Sequence, residues 1–161
     1  MPPPLAPLLE RAVSLAVASV ADGGGPFGAV VVRPAADGWE TVAEGTNRVT
    51  ATHDPSAHAE VVALRAAGAA LGTHDLAGCV LLSSCEPCPM CRATAMWARV
   101  DAVWFAADRH DAARAGFDDL AFYDMLDLPP EQQVPPVRAA APLGATRPFE
   151  AWAAHEARVE Y

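Results

Sequence analysis

The chain contains no lysine, and its positive charge is carried by 11 arginines against 20 acidic residues. The formal net charge at pH 7 is therefore −9. Proteins that hold a nucleic-acid backbone usually present a basic face, because they must neutralise phosphates. A chain with so few cations can hardly build a large one. We therefore expect a small, neutral or polar substrate and no nucleic-acid partner.

Long apolar runs are also missing. No stretch approaches the roughly 20 apolar residues that a membrane-spanning helix needs. The first residues are rich in proline and lack the basic start and apolar core of a secretory signal. The chain has 161 residues, which is the size of one domain. We expect a single domain over residues 1–161, located in the cytoplasm and without a membrane partner.

The chain has few cysteines, and most of them lie close together in the sequence. The four cysteines are Cys79, Cys85, Cys88 and Cys91, and three of them fall within seven residues. Because nothing indicates secretion, structural disulfides are not expected. Crowded cysteines in such a protein indicate metal binding or redox chemistry.

The order of the apolar patterns predicts an α/β fold. Helical spacing of apolar residues and short β-branched runs distinguish the helices from the strands. The predicted helices cover residues 5–20, 55–70, 89–99, 118–125 and 148–159, and the predicted strands cover 27–33, 39–45, 79–84 and 102–107. Asp54 and Pro55 are interpreted as the cap and first turn of the second helix. The strand–helix–strand alternation is typical of a sheet covered by helices, with both inner helices beginning at one edge.

Three potential metal ligands and one acidic residue lie in two short motifs. Cys88 and Cys91 follow Pro87 as Cys-x-x-Cys at a predicted helix start, whose partial positive charge favours thiolates. His58 comes from the other inner helix. Together they supply the three protein ligands of a catalytic zinc, which keeps its fourth position open. Glu60 lies two residues after His58, where its carboxylate can carry a proton from water to a leaving amine.

The two motifs are weak separately and specific in combination. His-x-Glu followed by Pro-Cys-x-x-Cys is the signature of the zinc deaminases. A purely structural zinc site would also need a fourth protein ligand. Cys85 extends the cysteine run to a spacing found in iron–sulfur proteins. That alternative lacks a well-placed fourth cysteine, since Cys79 lies on a predicted strand, and Cys85 is interpreted as a packed thiol at the strand end.

The sequence resembles the cytidine and deoxycytidylate deaminase superfamily, and within it the bacterial guanine deaminases. The resemblance covers nearly the whole chain and is carried by His58-Ala59-Glu60, Ser84-Cys85-Glu86-Pro87-Cys88-Pro89-Met90-Cys91 and Gly116-Phe117-Asp118-Asp119. It implies a cytidine deaminase-like fold, a three-layer α/β/α sandwich around a central mixed sheet of about five strands.

The resemblance implies zinc-dependent hydrolysis of guanine to xanthine and ammonia, with one zinc ion per subunit. It also implies a homodimer that exchanges C-terminal segments, about residues 145–161. The zinc motifs leave other substrates open: cytosine, cytidine, a guanosine-type nucleoside or the triazine ammeline. The tRNA adenosine deaminases share these motifs, but the acidic charge argues against tRNA. A non-catalytic protein with structural zinc is a further alternative, against which Glu60 argues, because a structural site has no use for a proton carrier.

The resemblance also assigns substrate-binding roles, each of which competes with an ordinary structural role. Asn47 would read a base edge through its amide rather than only form a turn. Phe27 would line the pocket and Trp97 would stack on the purine, although both residue types are usually core. Asp119 would accept hydrogen bonds from guanine rather than cap a helix. Further contacts with the base are predicted for His58 and Ala59, which lie next to the catalytic Glu60. The last residue, Tyr161, would close the pocket of the partner subunit.

Overall fold

The structure is a computed structural model that describes residues 3–117, 119–140 and 142–160. The chain forms two units, Met1–Phe122 and Tyr123–Tyr161. Its helices are α1 (Leu5–Ala21), α2 (Val49–Thr52), α3 (Ala59–Leu71), α4 (Pro89–Trp97), α5 (Arg109–Arg114), α6 (Leu120–Leu126) and α7 (Arg147–Ala154), with one 3-10 turn (Pro130–Gln132). Its strands are β1 (Gly28–Ala35), β2 (Gly38–Thr46), β3 (Val80–Cys85) and β4 (Ala102–Ala107).

The strands form one mixed sheet in the order β2-β1-β3-β4. β1 pairs antiparallel with β2 and with β3, and β3 pairs parallel with β4. All four strands predicted from the sequence are present. The resemblance implied about five strands, whereas the described residues contain four. The reason is composition, because the chain after Ala107 has no further run of β-branched residues.

Helices cover both faces of this sheet. Successive side chains of a strand point to opposite faces. Ala29 and Val31 of β1 pack in one core cluster with residues of α3, and Val30 and Val32 pack in a second cluster with Ala12 of α1. The predicted three-layer α/β/α sandwich is therefore confirmed. Among the described residues, none of the helices combines the length and apolar character needed to cross a membrane.

The close contact between β2 and α3 depends on a glycine. A Cβ at Gly45 would lie 2.3 Å from the carbonyl oxygen of Ala59 and 2.6 Å from the backbone nitrogen of Ala63. Any larger residue would have to move the helix. Gly45 therefore sets the start of α3, and with it His58, directly against the sheet.

The predicted start of the second helix is wrong. α3 begins at Ala59 with His58 as its N-cap, four residues later than expected. Asp54 does not cap a helix but closes a turn, since its Oδ1 accepts hydrogen bonds from the backbone N–H of Ser56 at 2.8 Å and from the Ser56 hydroxyl at 2.6 Å. The turn continues with a hydrogen bond of 2.8 Å from His58 N–H to the carbonyl of Ser56. The expected helix end is confirmed, because Gly72 forms the C-cap with φ of 67°.

Other boundaries differ as well. The sequence reasoning missed α2 and α5, both short, and it placed the end of the last helix at residue 159 instead of Ala154. α5 begins with a capping box, in which Asp108 accepts hydrogen bonds from the N–H groups of His110 and Asp111. Helices of four to six residues have too few apolar positions to show a period. The capping box could have predicted α5, whereas α2 has no side-chain cap.

Candidate active site and metal centre

His58, Cys88 and Cys91 converge at the starts of α3 and α4. His58 is the N-cap of α3, Cys88 is the N-cap of α4, and Cys91 lies in the first turn of α4. Nδ1 of His58 lies 3.6 Å from Sγ of Cys88 and 3.5 Å from Sγ of Cys91, and the two sulfurs are 3.6 Å apart. Among the described residues these three form the one group of His, Cys, Asp or Glu side chains arranged to hold a metal ion.

These distances match the edges of a tetrahedral zinc site. Zn–S bonds of about 2.3 Å and Zn–N bonds of about 2.0 Å place two sulfurs about 3.8 Å apart, and a sulfur and a nitrogen about 3.5 Å apart. The observed edges of 3.5 to 3.6 Å are close to both values. Three protein ligands leave one position of the tetrahedron for water or substrate, as catalytic rather than structural sites do.

The contacts among the three ligands favour a thiolate at Cys88. The hydrogen bond with Cys91 lowers the pKa of Cys88 to about 4, and the hydrogen bond with His58 adds to this effect. The same contact with Cys88 raises the pKa of Cys91, and burial raises it further. The hydrogen bond with Cys88 raises the pKa of His58. One thiolate is therefore ready for a cation, whose binding releases the proton of the second thiol.

Glu60 lies beside the metal group without belonging to it. It sits in the first turn of α3 and is only 4% exposed. Its Oε2 lies 3.4 Å from Sγ of Cys91, and its Oε1 accepts a hydrogen bond of 3.0 Å from the hydroxyl of Ser83. Burial raises the pKa of this carboxyl. A carboxyl with a raised pKa exchanges protons near neutral pH more readily than an exposed one.

A cavity of about 310 Å³ opens beside Glu60 and the metal group. This is the low end of the range for ligand pockets, roughly 300–1,000 Å³, and suits a single nucleobase. Its lining is largely apolar with a few polar groups. The described residues that line it belong to the first unit: Gly25, Phe27, Asn47, Val49, Thr50, His58, Glu60, Cys85, Glu86, Cys88, Phe117, Asp119 and Phe122.

Two phenylalanines form an aromatic wall of the cavity. The rings of Phe27 and Phe117 meet edge to face, with centroids 4.8 Å apart and an angle of 79° between their planes. Phe27 occupies the predicted position. Phe117 and Phe122 were not predicted as lining residues, although Phe117 stands inside the Gly116–Asp119 motif. An aromatic residue directly before the two carboxylates of the motif is the sequence signal that would have identified Phe117.

Asn47 is held at the cavity by backbone hydrogen bonds. Its N–H donates to the carbonyl of Phe27 at 3.1 Å, and its Oδ1 accepts from the N–H of Val49 at 3.2 Å. Gly25 packs against it so closely that a Cβ there would lie 3.1 Å from Cγ of Asn47. The bond to Val49 is the one that an ordinary turn asparagine forms, and Asn47 also lines the cavity, so its reading of a base edge stays a prediction.

A family model for the cytidine and deoxycytidylate deaminase zinc-binding region matches residues 5–107, which include the metal group and Glu60. The chain belongs to the cytidine and deoxycytidylate deaminase family. It is accordingly a zinc-dependent hydrolytic deaminase, and His58, Cys88 and Cys91 fit its one zinc ion.

The relatives include guanine deaminases that match the chain over most of its length. Guanine deaminase of Bacillus subtilis is 47% identical over 95% of this chain and 96% of that protein. Its X-ray structure has a TM-score of 0.90 at 46% identity and covers 96% of this chain and 97% of that one. Guanine deaminase from Nitrosomonas europaea has a TM-score of 0.66 at 37% identity, covering 74% of this chain and 66% of that one. A tRNA-specific adenosine deaminase of Aquifex aeolicus is 34% identical over 65% of this chain and 64% of that protein. The resemblance to bacterial guanine deaminases is confirmed.

The remaining predicted residues have different locations. Ala59 is fully buried in the core cluster between β2 and α3, and it is not among the described residues that line the cavity. Trp97 is 64% exposed at the end of α4 and is likewise outside that lining, so its stacking role stays a prediction. Tyr161 lies outside the described residues. Cys85 donates a hydrogen bond of 3.6 Å to the carbonyl of Asp108, and burial raises its pKa to about 11, in agreement with a packed thiol.

An ion pair holds the loop between β3 and α4. The guanidinium of Arg109 donates to both carboxylate oxygens of Glu86, with Nε at 2.9 Å from Oε2, and the Arg109 N–H adds a bond of 3.1 Å. The Arg109 hydrogen bond lowers the pKa of Glu86. Because Arg109 begins α5, the pair connects the cysteine loop to the segment that leads to Phe117 and Asp119. The sequence reasoning missed this pair, because its partners lie 23 positions apart.

Proposed function

We propose that this deaminase hydrolyses guanine to xanthine and ammonia. The observation that carries the proposal is a cavity of nucleobase size, about 310 Å³, lined by a metal ligand set, a buried carboxyl, an amide and aromatic rings. The likeness to guanine deaminases over nearly the whole chain supports guanine as the base.

In this reaction one water molecule adds to C2 of guanine, the bond from C2 to the amino nitrogen breaks, and a carbonyl group and ammonia remain. Zinc, when bound, lowers the pKa of a water toward neutrality and so supplies the nucleophile. Glu60 takes a proton from the attacking water and delivers it to the adjacent ring nitrogen. It then takes the remaining proton from the oxygen on C2 and delivers it to the amino group, so that the carbonyl forms as ammonia leaves. The burial of Glu60, which raises its pKa, suits a group that must both accept and donate a proton.

The cavity walls supply the recognition of the base. The amide of Asn47 pairs with a base edge that offers both a donor and an acceptor. Asp119 accepts hydrogen bonds from the N–H groups of guanine. Phe27 packs against the ring face or edge, and the backbone around His58 and Ala59 closes the side next to the metal. Contacts from Trp97 and from Tyr161 of a partner subunit complete the predicted set.

The experiment that tests this function is ammonia release by the zinc-loaded protein from a panel of substrates. We expect kcat/KM for guanine to exceed that for cytosine, cytidine, adenine, guanosine and ammeline by at least roughly 100-fold, because a hydrogen-bonding site rejects analogues that leave its polar groups unpaired. Xanthine formation, followed by its ultraviolet spectrum, is the matched product measurement. Faster ammonia release from another base would agree with the zinc-dependent reaction but would contradict guanine as the substrate.

We further propose a cytoplasmic homodimer, acting in purine catabolism, that exchanges C-terminal segments of about residues 145–161. Support comes from the second unit, where Phe149 and Trp152 expose 74% and 42% of their area. Large exposed apolar side chains mark surfaces that another chain covers.

Sedimentation equilibrium tests the dimer. We expect twice the mass of the 16.8 kDa chain, and a Trp152→Ala variant should shift the mass toward one chain. Glu156→Ala, an exposed position in the same unit, should leave the mass unchanged. A wild-type mass near that of one chain would contradict the proposal.

A further inference from the structure

Ser83 is a polar residue inside the most buried strand of the sheet. All six residues of β3 are buried, and Ser83 is 0% exposed. A hydroxyl in such a place must form hydrogen bonds, because burying it without a partner is unfavourable. Its partners therefore indicate its role.

The Ser83 hydroxyl connects the backbone of β3 to Glu60. Its Oγ donates to Oε1 of Glu60 at 3.0 Å and accepts from the N–H of Cys85 at 3.5 Å. A hydroxyl has one proton, and an ionised carboxylate can only accept. Of its two partners, the Cys85 N–H can only donate, so the proton of the Ser83 hydroxyl goes to Glu60.

This contact determines which carboxylate oxygen faces the metal group. With Oε1 held by Ser83, Oε2 lies 3.4 Å from Sγ of Cys91. A glutamate side chain has several rotamers, and it transfers a proton efficiently only from a defined position. The anchor is rigid, since β3 is an inner strand paired with β1 on one side and β4 on the other.

We propose that Ser83 is a positioning residue, whose hydroxyl holds the Glu60 carboxylate so that one oxygen faces the reacting water. The inference rests on the proposed function, in which Glu60 transfers the proton.

The next residue along the strand provides a matched control. Ser84 is also buried, at 7% exposure, but it points to the opposite face of the sheet. Its Oγ accepts a hydrogen bond of 3.0 Å from the N–H of Gly28. Ser84→Ala therefore removes a buried hydroxyl from the same strand while leaving the anchor of Glu60 in place.

The test compares Ser83→Ala, Ser83→Thr and Ser84→Ala as zinc-loaded full-length proteins acting on guanine. For Ser83→Ala we expect kcat to fall roughly 10- to 100-fold, the cost of misplacing a reacting group by about 1 Å, with KM changed by less than about threefold. Ser83→Thr keeps the hydroxyl and suits a strand, so its kcat should return to within about threefold of wild type. Ser84→Ala should keep its kcat and lose only thermal stability. Zinc content should remain one ion per chain throughout.

Crystal structures of zinc-loaded wild type and Ser83→Ala provide a readout that needs no substrate. The Glu60 carboxylate should leave its wild-type position in Ser83→Ala. An unmoved carboxylate with unchanged kcat would overturn the proposal, and so would equal losses of kcat in Ser83→Ala and Ser84→Ala. If wild type deaminated another base instead, the guanine assignment would fail, and the same series measured on that base would still decide the role of Ser83.

Discussion

Glu60→Gln is expected to lower kcat for guanine by roughly 100- to 10,000-fold, the usual contribution of general acid–base catalysis. Glutamine has nearly the same shape, and its carbonyl can accept the hydrogen bond that the Ser83 hydroxyl now donates at 3.0 Å. It cannot take up or return a proton, so the chemical step slows while the substrate still binds. Steady-state kinetics on guanine, with zinc measured in the same sample, provides the measurement.

Glu10→Gln is the matched control, because Glu10 is exposed on α1, outside the residues that line the cavity. This variant should retain wild-type turnover and zinc. A Glu60→Gln protein within a few-fold of wild type would show that another group carries the proton. Loss of zinc from Glu60→Gln would instead make Glu60 a metal ligand, contrary to the three-ligand site described above.

The zinc site could be predicted because its spacing is local. His58 and Glu60 are two positions apart, Cys88 and Cys91 are three, and each pair occupies a single helix start. Local geometry therefore fixes most of the arrangement, and the sheet has only to bring two helix starts together. The predicted strands indicate how the sheet brings the two helix starts together. Strands with apolar residues on both faces have to be covered by helices on both sides.

The start of α3 shows where local patterns are ambiguous. Asp54 followed by Pro55 is as compatible with a turn as with a helix cap, because an aspartate side chain can bond to backbone N–H groups in either structure. Here the Ser56 hydroxyl supplies an additional partner at 2.6 Å, which favours the turn. The result is functional, since the turn leaves His58 at the N-cap, where its ring faces the two cysteines.

Contacts between distant segments could not be predicted from the sequence. Ser83 reaches Glu60 only because β3 pairs with β1 in the register that places Ser83 opposite Ala29. A shift of one residue would have turned Ser84 toward Glu60 instead. The same limit applies to Phe117, whose ring meets Phe27 across 90 positions of sequence.

Cys91→Ala is expected to abolish zinc binding and activity and to lower the melting temperature. Cys91 is fully buried, and the zinc it helps to hold joins the starts of α3 and α4. A ligand present at 1,000 times its dissociation constant stabilises the folded state by about 4 kcal/mol. The loss of this stabilisation of about 4 kcal/mol should lower the melting temperature of a chain of this size by about 8–16 °C. Scanning calorimetry and zinc analysis of the purified variant provide the measurements.

Cys79→Ala separates the loss of zinc from the loss of a buried sulfur. Cys79 is 2% exposed and packs in the core cluster under α3, but it is not part of the metal group found among the described residues. This variant should lose some packing energy and keep both zinc and turnover. A chelator should lower the melting temperature of wild type and of Cys79→Ala, and it should have no effect on Cys91→Ala, which has no ion to lose. If Cys91→Ala kept one zinc per chain, the ion would be held elsewhere and the assignment of His58, Cys88 and Cys91 as its ligands would be wrong.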